Sequence, residues 1–267
     1  MNSIDFLNRE IFIRYGNVRR TRGPFLYTEK NVRLTDMYQE NGRAILGWGG
    51  CNGFTFLKNV LSRGQTGSFV TQHLYQLEKA VSTLLNSSRG IFLFNSLQEA
   101  QNCSQKFFSE TAVVYRPWIP ENEKIYQAAA VIVQPPLAWT QDHFILALQP
   151  ELLEKKSDVL DSIPCCRTAP CLLQAYARSI YDLIKALQER EEKDWFLYDQ
   201  VLKPYFVRTG PYLKSKVPAS VYSDFVKHCL DCGIVINPDS DGLSIVPYSA
   251  DKGVFEKLKK NPFTFQA

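Results

Sequence analysis

The chain predicts an α/β fold, and three observations carry that prediction. Four short apolar runs lack internal alternation: Ile91-Phe92-Leu93-Phe94, Ala112-Val113-Val114-Tyr115, Ala129-Ala130-Val131-Ile132-Val133 and Phe144-Ile145-Leu146-Ala147-Leu148. Such runs suit strands covered on both faces, as in parallel sheets between helices. Helical stripes stand before and after them, and the C-terminal part alternates helix and strand.

Taken in order, the N-terminal part reads as a small antiparallel meander. Pro24-Phe25-Leu26-Tyr27 precedes a polar turn, Val32 to Asp36 alternates apolar and polar, and Asn41-Gly42 turns into Ala44-Ile45-Leu46 before Gly47-Trp48-Gly49-Gly50 closes the segment. A helix follows over 70–86, with Leu74, Leu77, Val81, Leu84 and Leu85 on one face, and Ser87-Ser88-Arg89-Gly90 breaks it. Residues 97–108 form a crossover helix between the first two apolar runs. Pro170 opens a longer helix striped by Leu172, Tyr176, Ile180, Leu183 and Leu187, whose exposed end is the charged run 189–194. A helix over 219–231 stops at Gly233; strands 234–236 and 243–246 flank the turn 237–242, and a last helix covers 250–260. The organisation expected is an N-terminal meander (1–50) belonging to a small domain, a large α/β domain (51–193) and a C-terminal α+β small domain (194–267).

Composition bounds the function. The 267 residues are 45% apolar and 22% charged, with a net charge of +4, ordinary values for a globular protein. The densest basic stretch, Arg14 to Arg22, reads as a solvated surface, so no nucleic-acid partner is expected. No apolar run approaches the roughly 18 residues that span a bilayer, and the first residues lack a signal-peptide pattern. A cytoplasmic protein without membrane association is the expectation. Seven cysteines, an odd number, then read as reduced thiols.

The ordered segments resemble the class III aminotransferases of the fold-type-I pyridoxal-phosphate superfamily. Asn31-Val32-Arg33-Leu34-Thr35-Asp36 through Asn41-Gly42-Arg43 and Trp48-Gly49-Gly50 is similar to that family's opening meander. Phe94-Asn95-Ser96-Leu97-Gln98-Glu99-Ala100 resembles its N-S-G-S-E-A turn, and Ala129 to Pro135 its A-A-V-I-V-E-P strand. Cys165 to Leu172 resembles T-F-x-G-N-P-L, and Gly233 to Pro238 with Leu243 to Pro247 resembles the C-terminal G-V-L-I-R-P and L-R-L-S-P pair. The resemblance implies an abridged fold-type-I aminotransferase-like architecture: a reduced, mostly parallel sheet with helices, plus an α+β small domain.

It also implies a site that has lost its chemistry. The family's cofactor needs a Schiff-base lysine, an aspartate at the ring nitrogen and donors for the phosphate. The interval that carries the family's Asp and Lys is reduced to Pro136–His143, and no lysine stands between Lys124 and Lys155. Asp142 reads as a loop residue or helix cap. Lys155 and Lys156 stand in an exposed helical stretch, whereas a Schiff-base lysine needs desolvation. The phosphate turn keeps Asn95, Ser96 and Gln98 as vestigial anion ligands, with Ser96 or Asn95 alternatively serving as a helix cap. The family threonine falls on Cys165, the E-P glutamate on Gln134 and the R-P arginine on Asn237.

The expectation is a non-catalytic, aminotransferase-like homodimer with a small-molecule or protein partner and no cofactor or metal. The alternative is a residual enzyme or non-covalent pyridoxal phosphate binder. Cys229-Leu230-Asp231-Cys232 and the group Cys165, Cys166, Cys171 could suit zinc, but the pair ends a helix without a zinc-knuckle turn. His73, His143 and His228 accompany no nucleophile elbow.

Overall fold

The computed structural model describes residues 2–119 and 122–265. The chain forms two compact units, one from residues 1–50 and 190–267 and the other from 51–189.

The first unit starts with helix α1 (Ser3–Tyr15). Asn2 caps it by accepting the Ile4 N–H at 3.3 Å, and Leu7 and Ile11, four apart, bury one face. Strands β1 (Val18–Arg22), β2 (Phe25–Thr28) and β3 (Arg33–Asp36) follow as an antiparallel meander. Leu26, Thr28, Leu34 and Asp36 are buried, whereas Phe25, Tyr27 and Arg33 remain accessible, close to the two-residue period of a half-covered sheet; Thr35, paired with β10, is buried as well.

Residues 44–46, expected as a third strand, are turns instead. Gln39, Glu40 and Asn41 all adopt positive φ (46°, 49° and 54°), which bends the chain out of an extended path. The buried Asp36 carboxylate holds this bend by accepting the backbone N–H groups of Tyr38 and Gln39 and the Trp48 indole N–H, at 2.9, 3.0 and 2.6 Å. Gly47 returns the chain to Gly23; a Cβ there would lie 3.2 Å from the Gly23 Cα.

The second unit comprises α2 (Gly53–Ser62), α3 (His73–Leu84), β4 (Gly90–Phe94), α4 (Leu97–Phe108), β5 (Val113–Val114), α5 (Asn122–Gln127), β6 (Ala130–Val133), β7 (Phe144–Leu148), α6 (Pro150–Lys155) and α7 (Pro170–Glu189). Helices α2 and α3 both pack along α7. Asp182 of α7 fixes the start of α2 by accepting the Asn52 N–H at 2.7 Å and its amide at 3.0 Å. The buried stripe of α7 runs through Leu173, Tyr176, Ile180 and Leu183; on α3, Leu74 lies outside the buried face.

The sheet order is β4-β7-β6-β5. β6 is buried at every position and β7 at all but its first, as runs without alternation require. Their direction corrects the mostly parallel sheet expected: β4 with β7 and β7 with β6 are antiparallel, and only β5 with β6 is parallel. Continuous apolar character reports burial on two faces, not strand direction. The connection 134–143 is too short for the crossover of a dozen or more residues that a parallel neighbour demands. Helix α4 covers this sheet with Ala100, Cys103 and Phe108 against Phe94, Ile132 and Leu146.

The chain then returns to the first unit with α8 (Glu192–Phe196), α9 (Asp199–Leu202), β8 (Phe206–Thr209), β9 (Tyr212–Ser215), α10 (Ala219–Asp231), β10 (Ile234–Val235), β11 (Leu243–Ile245) and α11 (Glu256–Lys260). The two strands after α10 belong to different sheets. β10 runs parallel to β3, whereas β11 pairs antiparallel with β9 of the β8–β9 hairpin. Asn237 separates them: its amide donates to Asn41 Oδ1 at 2.9 Å and to the Leu243 carbonyl at 3.1 Å.

Candidate functional site

The carboxyl end of β4 and the N-terminus of α4 form the turn where sequence placed Asn95, Ser96 and Gln98. Ser96 is extended (φ −142°, ψ 152°) and caps α4, its hydroxyl oxygen accepting the Glu99 N–H at 3.1 Å. The Glu99 carboxylate folds back to accept the Asn95 N–H at 3.3 Å. Gln98 points along the helix instead, donating to Asn102 Oδ1 at 2.8 Å. Asn95 and Ser96 therefore share the turn, and Gln98 leaves it. The positive end of a helix attracts one anion, and here the chain supplies its own in Glu99. The S-x-x-E spacing of Ser96 and Glu99 is the sequence signal for this arrangement.

An open cleft of about 580 Å³ lies beside this turn, lined by Phe94, Asn95, Asn102, Lys106, Phe107 and the 164–166 segment. The Cys166 N–H donates to the Leu93 carbonyl at 2.8 Å, which ties that segment to the edge of β4. Glu99 and Cys103 also line the cleft. Burial pushes the Cys103 thiol up to about 11 and raises that of Cys166, so neither is an activated nucleophile.

The connection after β6 is packed rather than open. Leu137 is buried, and a Cβ placed on Gly53 would lie 2.8 Å from its Cδ1 and 2.9 Å from the Ala175 carbonyl. Gln134 donates to Asp142 Oδ1 at 3.3 Å, across the ends of the connection. The buried His143 Nδ1 lies 2.8 Å from the Tyr176 hydroxyl. That couple joins positions far apart in sequence, and no local pattern announces it. Lys155 and Lys156 are both exposed.

The remaining candidates are structural in setting. His73 is buried, its ring nitrogens 2.9–3.0 Å from the side-chain carbonyl oxygens of Gln65, Gln76 and Gln174. His228 Nε2 lies 2.8 Å from the Asn261 carbonyl. Cys229 is buried and its thiol raised well above the usual range by desolvation, as expected of an inert core thiol. Among the described residues, no three His, Cys, Asp or Glu side chains are grouped as a metal site requires. No helix among them is long and apolar enough to cross a membrane.

No family model matches the chain. An uncharacterized protein of Treponema pallidum (strain Nichols) is 30% identical over 183 residues, 66% of this chain and 56% of that protein. The chain thus spans just over half the length of the curated relative it matches.

Solved structures match more broadly. An aminotransferase from Vibrio fluvialis in its PMP-bound form superposes with a TM-score of 0.70 at 13% identity, over 93% of each chain. The ornithine aminotransferase of Plasmodium yoelii gives 0.64 at 12% identity over 97% of each chain, and the acetylornithine aminotransferase of Elizabethkingia anophelis gives 0.62 at 12% over the same shares. The chain has an aminotransferase-like α/β fold. Identity this low carries the fold and leaves activity to the site.

Proposed function

We propose that this chain is a non-catalytic, aminotransferase-like protein that acts by binding, as a homodimer with a small-molecule or protein partner. The observation that carries this reading is the connection 134–143. In the resembling family this interval bears the ring-pairing Asp and the Schiff-base Lys; here it contains no lysine, and Leu137 is packed against Gly53 and the Ala175 backbone. The residues present do not fit pyridoxal phosphate as a covalent cofactor. Glu99 places a carboxylate where the phosphate would need unopposed donors, and two such charges at one helix terminus repel. Lys155 and Lys156 are exposed, whereas a Schiff-base lysine stands desolvated beside its cofactor.

One observation favours a second reading. The cleft beside α4 is large enough for a small molecule and carries Lys106 with the amides of Asn95 and Asn102, although Glu99 lines it too. Pyridoxal phosphate held there without a covalent bond is that alternative.

Titration of the protein with pyridoxal phosphate, followed by absorbance and then borohydride reduction with peptide mapping, separates the readings. The first reading expects no saturable yellow species and no reduced lysine adduct. Saturable binding with no adduct supports the second. A single lysine fixed by borohydride sinks the non-catalytic reading and names the substitute residue.

A further inference from the structure

Along the sequence, Arg19, Arg20 and Arg22 read as a solvated charge run. The fold adds to them. β1 is the free edge of its sheet, and its residues pair in register with β2: Arg20 opposite Tyr27 and Arg22 opposite Phe25. β2 in turn places Tyr27 opposite Arg33 of β3. One face of the sheet therefore carries a row Arg20–Tyr27–Arg33 beside the row Arg22–Phe25–Thr35, of which Thr35 alone is buried, while the opposite face of β2 and β3 buries Leu26, Thr28, Leu34 and Asp36. The Arg33 guanidinium lies 4.3 Å from the Phe25 ring centroid, and that of Arg20 lies 5.6 Å from Tyr27.

We propose that this outer face binds single-stranded nucleic acid. Charge complementarity supplies the first argument. Among the described residues, neither Arg20 nor Arg22 has a carboxylate within ion-pair distance. Two acidic groups lie nearby. Asp251 approaches Arg33 at 3.7 Å with both side chains exposed, and Glu29, near Arg19, is engaged by the Asn17 backbone and amide at 2.9 and 3.1 Å.

The second argument is the interleaving of arginines with aromatic rings on one face of the sheet. A guanidinium held over a ring keeps its N–H fork for phosphate and offers a planar surface to an unstacked base. A duplex hides its base faces and would use only the charges. Arginines at a sheet edge also discourage edge-to-edge pairing. That role needs charge on β1 alone; it does not call for Arg33 two strands away.

The test is fluorescence anisotropy of end-labelled single-stranded RNA and DNA with the full chain, over a salt series. Three to four phosphate contacts predict a log K against log salt slope of about −2 to −3, at roughly 0.7 per contact for single strands. A duplex of the same sequence should bind about tenfold or more weakly. The double variant Arg20→Gln, Arg22→Gln should lower the slope by about 1.4 and the affinity by about tenfold or more, with its urea midpoint unchanged. Lys259→Gln with Lys260→Gln removes the same charge from exposed positions on α11 and should leave binding as it was. Absence of binding at low salt overturns the proposal. So does an equal loss from both double variants, or capture by anionic phospholipid vesicles but not by oligonucleotides.

Discussion

Asp36 shows how one buried carboxyl can fix a loop and make its stability depend on pH. Desolvation raises it from its ordinary value to about 6, a larger effect than the hydrogen bonds from Gln39, Trp48 and Tyr38 that favour the charged form. A folded-state value above the unfolded one means the protonated group favours folding. That contribution is complete below about pH 4 and is lost as pH rises through 6, a loss of about 3 kcal/mol at most. In Asp36→Asn an amide N–H faces donors that had an acceptor, which costs about 1–3 kcal/mol near pH 5. Urea unfolding of both proteins at pH 5 and pH 8 checks this: the stability gap should narrow at the higher pH. Parallel pH dependence would mean Asp36 titrates normally. A different solution serves the buried Arg89. Its guanidinium donates to the carbonyls of Ala128 at 2.6 Å and Tyr126 at 3.0 Å, so the cation is met chiefly by carbonyl oxygens at the C-terminal end of α5, and the charge of Glu151 also favours it.

At the scale of elements, the connection between β6 and β7 decides the functional reading, and its packing can be measured. Leu137→Ala removes a buried side chain at the crossing of the connection with α2 and α7. A cost of about 2–5 kcal/mol is expected by chemical denaturation. A loss below about 1 kcal/mol would show the connection to be loosely held and its interior accessible to a ligand.

The sequence makes such elements legible where a local signal exists. Apolar runs located β4, β6 and β7; Asn95 or Ser96 as a cap marked the start of α4; Pro170 opened α7. Other elements lacked such a signal. In α1 only Leu7 and Ile11 are buried while Phe12 and Ile13 are exposed, so its apolar pattern is blurred. The β8–β9 hairpin is a pair of four-residue strands around Gly210, too short for periodicity to declare. Partner strands were invisible as well, since β10 joins β3 and β11 joins β9 across long separations. Of the site, the Asn95–Ser96 turn could be read, whereas the His143–Tyr176 couple and the setting of Leu137 arise only in the fold.

For the whole molecule, the proposed homodimer has a candidate surface on the second unit. Phe69 is 88% exposed, Val70 is fully exposed, and Leu74 and Tyr75 continue the apolar character onto α3. A cleft lined by Phe69, Leu74, Phe92 and Leu173 together with Arg167 and Thr168 lies in the same region, which therefore offers both projection and recess. A contiguous apolar patch of this kind marks an association surface, and self-complementarity is what a two-fold interface requires. Phe69→Asp with Val70→Asp should convert a dimer into monomers, raising the dissociation constant by about a hundredfold or more, without lowering thermal stability measured at high dilution. Sedimentation velocity reads the outcome. A wild-type monomer at all accessible concentrations removes the dimer from the proposal.

The division of the chain has a consequence during synthesis. The unit 51–189 is continuous in sequence, whereas the other needs both ends of the chain, because β10 completes the sheet only by pairing Ile234 and Val235 with Thr35 and Asp36. Between those partners the ribosome adds about 200 residues, which at roughly 5–20 residues per second takes about 10–40 s. During that interval β3 has an unfilled edge beside Thr35, while the inserted unit can already collapse on its local contacts. The nascent chain is therefore exposed to mispairing at β3, whose protection rests on whatever occupies that edge until Ile234 and Val235 emerge.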